Sequence, residues 1–494
     1  MGPDTLRVSD LLAALAVPQG EGWADSGPEI EIRNAVIDSR LATPGSLFIA
    51  LRGENQDGHE FIPEALAQGA VAVIAERVPA GIECRVIDTT APDSFHSFQA
   101  STTPTCIVVR DSLKGLQQAA AYWRRRHEIS VVGITGSIGK TTSKEVIAAV
   151  LRQQYRTLKS EGNYNNEIGL PLTLLHLTGR HEQVVLEMGM YDVGEIALLA
   201  DIALPRIGVV TNVGPSHLGR LGSIERIAQA KAELPQALPA AQEGGVAILN
   251  IDDKLVWAMR SQTRARVFAY GLDQGADLWA SDIESEGLEG IRFRLHYGRE
   301  SIHGRVPMLG RHSVHTALRA AAVGLVEGLQ WDEIMRGLKD QDAQIRLVAV
   351  PGPANSTILD DTYNSSPASC VAALNMLDEV GNRGTGKRKI AVLGDMYELG
   401  SYEQEAHQLV GRRARETADI LVTVGDLGRM IGEEALHSGM DATRVYIVET
   451  NNQAIDLLQS LLEAGPGQDI ILVKGSRGMQ MEEIVAALQE GDTL

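Results

Sequence analysis

Val131-Val132-Gly133-Ile134-Thr135-Gly136-Ser137-Ile138-Gly139-Lys140-Thr141-Thr142 reads as an apolar strand, a glycine-rich turn and the start of a helix. Glycines in such a turn let backbone N–H groups close around phosphate oxygens, and the helix N-terminus adds positive potential. Lys140 has the reach for the terminal phosphates of a nucleotide, and Thr141 carries the hydroxyl that ligates Mg²⁺ in loops of this kind. The strict P-loop pattern places glycine at position 134, where this chain has Ile134, so the stretch is a variant. A ligand-free structural turn is the competing reading, but Gly-Lys-Thr-Thr directly after a β run has few structural reasons to exist.

Working outward, apolar strand runs at 129–134, 183–188, 207–213, 246–251 and 267–270 alternate with helical patterns. That alternation predicts a mainly parallel sheet with helices on both faces. The period then changes. Ile291 to Tyr297 alternates strictly, which predicts a half-buried antiparallel strand in a flap ahead of a helix over 313–327. From about 343 the α/β alternation resumes, with strands predicted at 356–359, 389–392, 420–424, 445–448 and 470–473. Ser366-Pro367 is a helix start, a capping hydroxyl followed by a proline whose missing N–H costs nothing there. Before residue 112 lie shorter elements, with a buried strand within 70–75, another at 107–109 and a Ser/Thr/Pro-rich loop over 89–105. The expected architecture is α/β in three domains. A smaller N-terminal α/β domain (1–112) precedes a central P-loop ATPase-like parallel sheet with an antiparallel flap (113–342), and a Rossmann-like domain (343–494) follows.

Composition narrows the function classes. The 494 residues carry 45 Lys+Arg against 64 Asp+Glu, a net charge of −19, which disfavours non-specific binding to nucleic acid or anionic membranes. Cys84, Cys106 and Cys370 lie far apart, with no zinc-ligand spacing and no disulfide framework. No apolar run approaches the roughly 18 residues of a membrane span. A soluble, cytoplasmic protein is expected.

Glu187 ends the apolar strand Val184-Val185-Leu186 just before a glycine turn, as the next strong strand after the P-loop. A carboxylate there is a candidate metal ligand, although strand-end acids are often caps or solvent-facing groups. His217, in the loop after 207–213, is a weaker candidate. To this point a kinase, a motor ATPase and an ATP-dependent ligase all remain open.

Other segments carry a resemblance. Asp38-Ser39-Arg40, Gly45 to Ala50, and Gly53 through Asp57-Gly58-His59 come first. Gly162-Asn163-Tyr164-Asn165-Asn166-Glu167-Ile168-Gly169 follows the P-loop, and then Glu187, His217 and Ala230-Lys231-Ala232-Glu233. Asp360-Asp361-Thr362-Tyr363-Asn364, Gly394-Asp395-Met396-Tyr397-Glu398 and Lys474-Gly475-Ser476-Arg477 close the series. In this order and spacing the chain resembles the Mur ligase family over nearly its whole length. The last-domain segments resemble the member that adds D-alanyl-D-alanine, and the Asp-Asn-Pro-Arg signature of the diaminopimelate-adding relative is absent.

The resemblance implies an ATP-dependent amide ligase joining D-Ala-D-Ala to UDP-N-acetylmuramoyl-tripeptide through an acyl phosphate, acting as a monomer in peptidoglycan precursor synthesis. It implies ATP binding by Gly136, Ser137, Gly139, Lys140, Thr141, Thr142, Asn250, Asp252, His312, Arg346, Asp361 and Tyr363. Thr141, Glu187, His217 and Lys231 would serve Mg²⁺, with Lys231 carbamylated, and Lys140, Glu187, His217 and Lys231 would form the catalytic set. Ser39, Arg40, Asp57, His59, Asn163 and Asn166 would bind the UDP substrate, and Asn364, Lys474, Ser476 and Arg477 the dipeptide. Read from the residues alone, Lys231 is a lysine on a solvated helix face. The chain departs from the family pattern where Ser313, Thr316 and Ser366 replace asparagines and Ile345 replaces the glycine before Arg346. The asparagine losses keep open a non-catalytic protein that binds nucleotide and UDP-sugar, and a related ligase with another amine is a third reading.

Overall fold

The structure, a computed structural model, describes residues 2–15, 30–53, 56–90, 103–216, 218–340, 347–382 and 387–490. The expected loop at 89–105 falls largely outside the described residues, as does the expected boundary at 342/343.

The variant P-loop follows Ser130–Thr135, a central strand of a nine-stranded sheet. In spatial order the sheet runs Thr157–Lys159, Gln183–Glu187, Ser130–Thr135, Ile207–Val210, Val246–Asn250, Arg266–Gly271, Leu278–Ser285, Ile291–Tyr297 and Glu300–Val306. The first seven are parallel and the last two antiparallel, which is the expected flap. Ile291, Phe293 and Leu295 point inward there while Arg292 is exposed. Strand side chains alternate between faces. Val132, Ile134, Val185, Ile207 and Val209 therefore pack with the helices Lys140–Leu151, Val314–Val326 and Trp331–Leu338. Val131, Val184, Leu186 and Val210 meet the helices Gly169–Leu175, Glu195–Ala203 and Ile224–Ala237 on the other side. Burial on both faces is why these strands read as unbroken apolar runs.

The N-terminal sheet is wholly parallel, in the order Asn34–Val36, Ser46–Ile49, Ala72–Ala75, Thr105–Val108 and Arg85–Asp88. Its apolar side joins the central core through Ser112–Arg125, whose buried Trp123 donates Nε1–H to Leu177 O at 3.0 Å. The C-terminal sheet runs Val348–Pro351, Thr357–Asp360, Ile470–Lys474, Lys389–Gly394, Ile420–Val424 and Val445–Val448, parallel apart from the first strand. Ser366 and Pro367 begin the helix Pro367–Gly381 as expected. No described helix is long and apolar enough to cross a membrane.

The P-loop helix is pinned from behind. A Cβ on Gly337 would lie 2.4 Å from Val150 Cα, so these two helices pack backbone to backbone. Gly337→Ala is expected to destabilise the protein by about 1–3 kcal/mol, measured by denaturant unfolding.

Candidate active site

Gly136 and Gly139 take φ values of +146° and +81°, and Gly139 is the residue before the helix that starts at Lys140. A Cβ on Gly136 would stand 1.9 Å from Thr211 Oγ1, so only glycine lets the loop lie on the end of the neighbouring strand. That strand stops at Val210 rather than running to 213, because residues 211–214 turn to hold the loop. Ser137 Oγ donates to Gly214 O at 3.0 Å and accepts from Gly214 N at 2.8 Å. Asn212 Oδ1 accepts from Ile138 N at 3.0 Å, and its Nδ2 donates to Ile138 O at 2.9 Å. Lys140 Nζ folds back to donate to Gly136 O at 2.8 Å.

Glu187 is level with Ile134 in the register, so its carboxylate emerges beside the loop. It is 3% exposed and accepts from Thr141 Oγ1 at 2.8 Å and Asn165 Nδ2 at 2.9 Å. Lys231 lies on the helix Ile224–Ala237, capped by Ser223, and is 2% exposed. Among the described residues nothing hydrogen-bonds or pairs with its amine. Burial, and then repulsion from Lys140, hold its pKa well below 10.5. The solvated helix face that the residues alone suggest is therefore corrected: the lysine is buried.

Two cavities flank the loop, both closed by C-terminal residues. One, of about 430 Å³, is bounded by Lys140, Thr141 and Glu187 on one side and by Tyr363, Tyr397 and Arg477 on the other. The second, of about 440 Å³, is bounded by Thr142, Asn250, His312, Asp361 and Lys474. The loop Ile138-Gly139 separates them.

Three family descriptions match successive parts of the chain: Mur ligase family, catalytic domain over 31–124; Mur ligase middle domain over 134–324; and Mur ligase, glutamate ligase domain over 346–477. The UDP-N-acetylmuramoyl-tripeptide–D-alanyl-D-alanine ligase of Synechocystis is 36% identical over 461 residues, 93% of this chain and 92% of that one. The chain belongs to the Mur ligase family. A crystal structure of MurF from Acinetobacter baumannii superposes with a TM-score of 0.81 at 30% identity, covering 99% of this chain and 100% of that one. MurF from Thermotoga maritima, solved in complex with ADP, gives 0.73 at 26% identity, covering 93% and 97%.

Of the residues singled out from the sequence of this Mur ligase, Ser137, Gly139, Lys140, Thr141, Glu187, Asn163, Asn166, Tyr363, Asn364, Ser476 and Arg477 line the first cavity. Asn166 Oδ1 also accepts from Gly169 N at 2.9 Å, just ahead of the helix Gly169–Leu175, and Tyr363 Oη donates to Asn163 Oδ1. Lys474 does not join Ser476 and Arg477. It is 1% exposed, donates to Asn364 O at 2.8 Å, pairs with Asp361 at 2.6 Å and faces the second cavity. Asp252 turns to His315 Nε2 at 2.8 Å and Leu272 N at 2.8 Å, while Asn250 Oδ1 accepts from Asp252 N at 3.0 Å.

In the N-terminal domain Ser39 donates to Glu64 at 2.7 Å and Arg40 pairs with Asp38 at 2.7 Å. His59 Nε2 accepts from Glu76 N at 2.9 Å, so Nδ1 carries the proton and donates to Asp57 at 2.6 Å. His217 and Arg346 lie outside the described residues. Asn165 was not singled out, although it sits between two residues that were; nothing in the run 163–166 marks which carboxamide reaches Glu187.

The Lys231 pKa carries a stability consequence. In bicarbonate-free buffer the unfolded chain, at the ordinary value of 10.5, binds more protons than the folded protein wherever pH lies between the two pKa values. Stability therefore rises with pH through that window and is lowest below it. Lys231→Met is expected to remove that slope and to raise unfolding free energy at pH 7. Unfolding curves unchanged at both pH 7 and pH 10 would show the amine to be solvated.

Proposed function

We propose that this chain is an ATP-dependent amide ligase that joins D-Ala-D-Ala to UDP-N-acetylmuramoyl-tripeptide, acting as a cytoplasmic monomer in peptidoglycan precursor synthesis. The observation that carries the reading is the first cavity, where P-loop, strand-end carboxylate and C-terminal loops share one space. A carboxylate is a poor electrophile and needs activation. In the proposed reaction a tripeptide carboxylate oxygen attacks the γ-phosphorus of ATP, the bond to the bridging oxygen breaks, and ADP is the leaving group. The neutral dipeptide amine then attacks the acyl carbon, forms the C–N bond, loses a proton and expels inorganic phosphate.

Both steps crowd negative charge together, so fixed cations and positioning dominate catalysis. Lys140 supplies charge at the phosphates, and the loop N–H groups hold their oxygens. The donor set also fits Mg²⁺: Thr141 and Glu187 offer oxygen ligands at one spot, and this ion is usually held by one or two carboxylates together with substrate phosphates. Bound Mg²⁺ supplies charge withdrawal from the transferring phosphoryl group. Lys231 fits carbamylation by CO₂, which requires a neutral amine, because burial and Lys140 disfavour its ammonium form. Thr141 and Asn165 each donate to one Glu187 oxygen and thereby fix its orientation. The second cavity is assigned to the nucleoside end of ATP, with Asn250 and His312, and Ser476 and Arg477 to the dipeptide.

Protein incubated with ATP, Mg²⁺, the UDP-tripeptide and D-Ala-D-Ala is expected to yield equimolar UDP-pentapeptide and ADP by mass spectrometry. ATP turnover without amide product would falsify the ligase reading. Lys140→Ala and Glu187→Ala are each expected to lower kcat by about 10²-fold or more, as loss of preorganised charge does elsewhere.

A further inference from the structure

The wall of the second cavity contains a cation that none of the roles above uses. Arg319, on the helix Val314–Val326, is 4% exposed, and among the described residues no carboxylate pairs with it. Its partners are three neutral hydroxyls. Nε donates to Ser143 Oγ at 2.9 Å, Nη2 to Thr316 Oγ1 at 2.9 Å and Nη1 to Tyr270 Oη at 3.4 Å. A guanidinium carries five N–H donors, so three bonds leave two. Buried charges are ordinarily paired or saturated. The other buried arginine among the described residues, Arg124, donates to the carbonyls of Ala203, His127, Ile129 and Leu204 instead.

The placement says what Arg319 awaits. Nη2 lies 3.3 Å from the position a Cβ on Gly139 would occupy, so the charge sits against the turn of the P-loop. Arg319 lines the same cavity as Thr142, Asn250 and His312. Ser143, which orients Nε, itself donates to Gly139 O at 2.5 Å, so loop and guanidinium share one hydrogen-bonded frame. Thr316, one of the residues that depart from the family pattern, uses its hydroxyl to orient Nη2.

We propose that Arg319 is a nucleotide-binding residue, a second fixed cation that donates its remaining N–H groups to phosphate oxygens of bound ATP or ADP. This rests on the ATP-site reading above. The fork geometry of arginine suits a phosphate. A desolvated cation without a counter-ion destabilises the empty site, and an arriving anion relieves that cost.

The test uses the full chain in three forms, wild type, R319Q and R319K, with calorimetric titration of Mg-ADP and of adenosine and thermal unfolding without ligand. R319Q is expected to bind Mg-ADP about 10- to 100-fold more weakly, the loss of one or two charge-assisted hydrogen bonds. Its adenosine affinity and ligand-free unfolding temperature are expected not to fall, and R319K, which keeps the charge, should recover part of the ADP affinity. Unchanged ADP affinity in R319Q, or equal losses for ADP and adenosine with a lower unfolding temperature, would make Arg319 a structural residue and overturn the proposal. Wild-type protein that binds no nucleotide would instead overturn the ATP-site reading on which it rests.

Discussion

The hydrogen bond from Thr141 Oγ1 to Glu187 Oε2 ties the first turn of the P-loop helix to the end of the adjacent strand, and the rest of the site is arranged around it. It exists only because the parallel register sets Glu187 beside Ile134. The loop must then cross directly over Thr211, which no side chain at position 136 would permit. A buried carboxylate left without donors would be costly, so Asn165 donates to the second oxygen. Separately, Ser160 Oγ accepts the backbone N–H of Glu187 at 3.2 Å. Lys144, buried one turn beyond Lys140, donates to Ser160 O at 2.6 Å and links this frame back to the P-loop helix. The placement of Thr141 and Glu187 is thus a consequence of strand register and helix packing rather than of a flexible loop.

A net charge of −19 repels an anionic nucleotide at long range. Screening resolves this, because at physiological salt surface charges beyond about 8 Å are largely neutralised, whereas buried charges are not. What an anion meets locally is Lys140, the helix N-terminus and, on the proposal above, Arg319. Lys474 adds less field, since Asp361 is 2.6 Å away. The distribution of desolvated charge, not the total, sets the ligand class.

Much of this was legible in the sequence because periodicity reports burial directly. The strands Ile420–Val424 and Val445–Val448 coincide with the apolar runs, and Ser366-Pro367 caps its helix. The edge strand Val348–Pro351 was missed because it is largely exposed and ends in proline, so it lacks an apolar pattern. Residues 211–213 looked like more strand because Thr211 and Val213 are β-favouring, yet the backbone there is diverted to the P-loop. Lys474 shows the remaining gap: strand alternation would place residues two apart on one face, but Lys474 is the last residue of its strand and Ser476 lies beyond it. The turn between them therefore sends the two side chains to different cavities, and a motif does not encode that turn. Arg319 carried no sequence signal, because a single arginine on an otherwise alanine-rich helix face is indistinguishable from a surface residue until its burial is known.

The three domains are not joined alike. Ile49, Ile74, Trp123, Val131 and Leu170 belong to one continuous apolar core, so the N-terminal and central sheets share their burial energy. The C-terminal sheet has its own two cores, with Leu309 among the few central residues packed against them. It meets the centre instead through polar and backbone contacts around the cavities. Tyr363 donates to Asn163, and Gly400, at φ +54°, approaches Gly219 so closely that a Cβ would lie 2.3 Å from its Cα. Contacts of this type contribute little area, and interfaces with little apolar burial are the ones that open. The end of the site assigned to the UDP substrate therefore lies within one cooperative unit. The end assigned to the incoming amine is closed by a unit whose docking energy comes from the site itself, so any ligand that bridges the two strengthens the closure it needs.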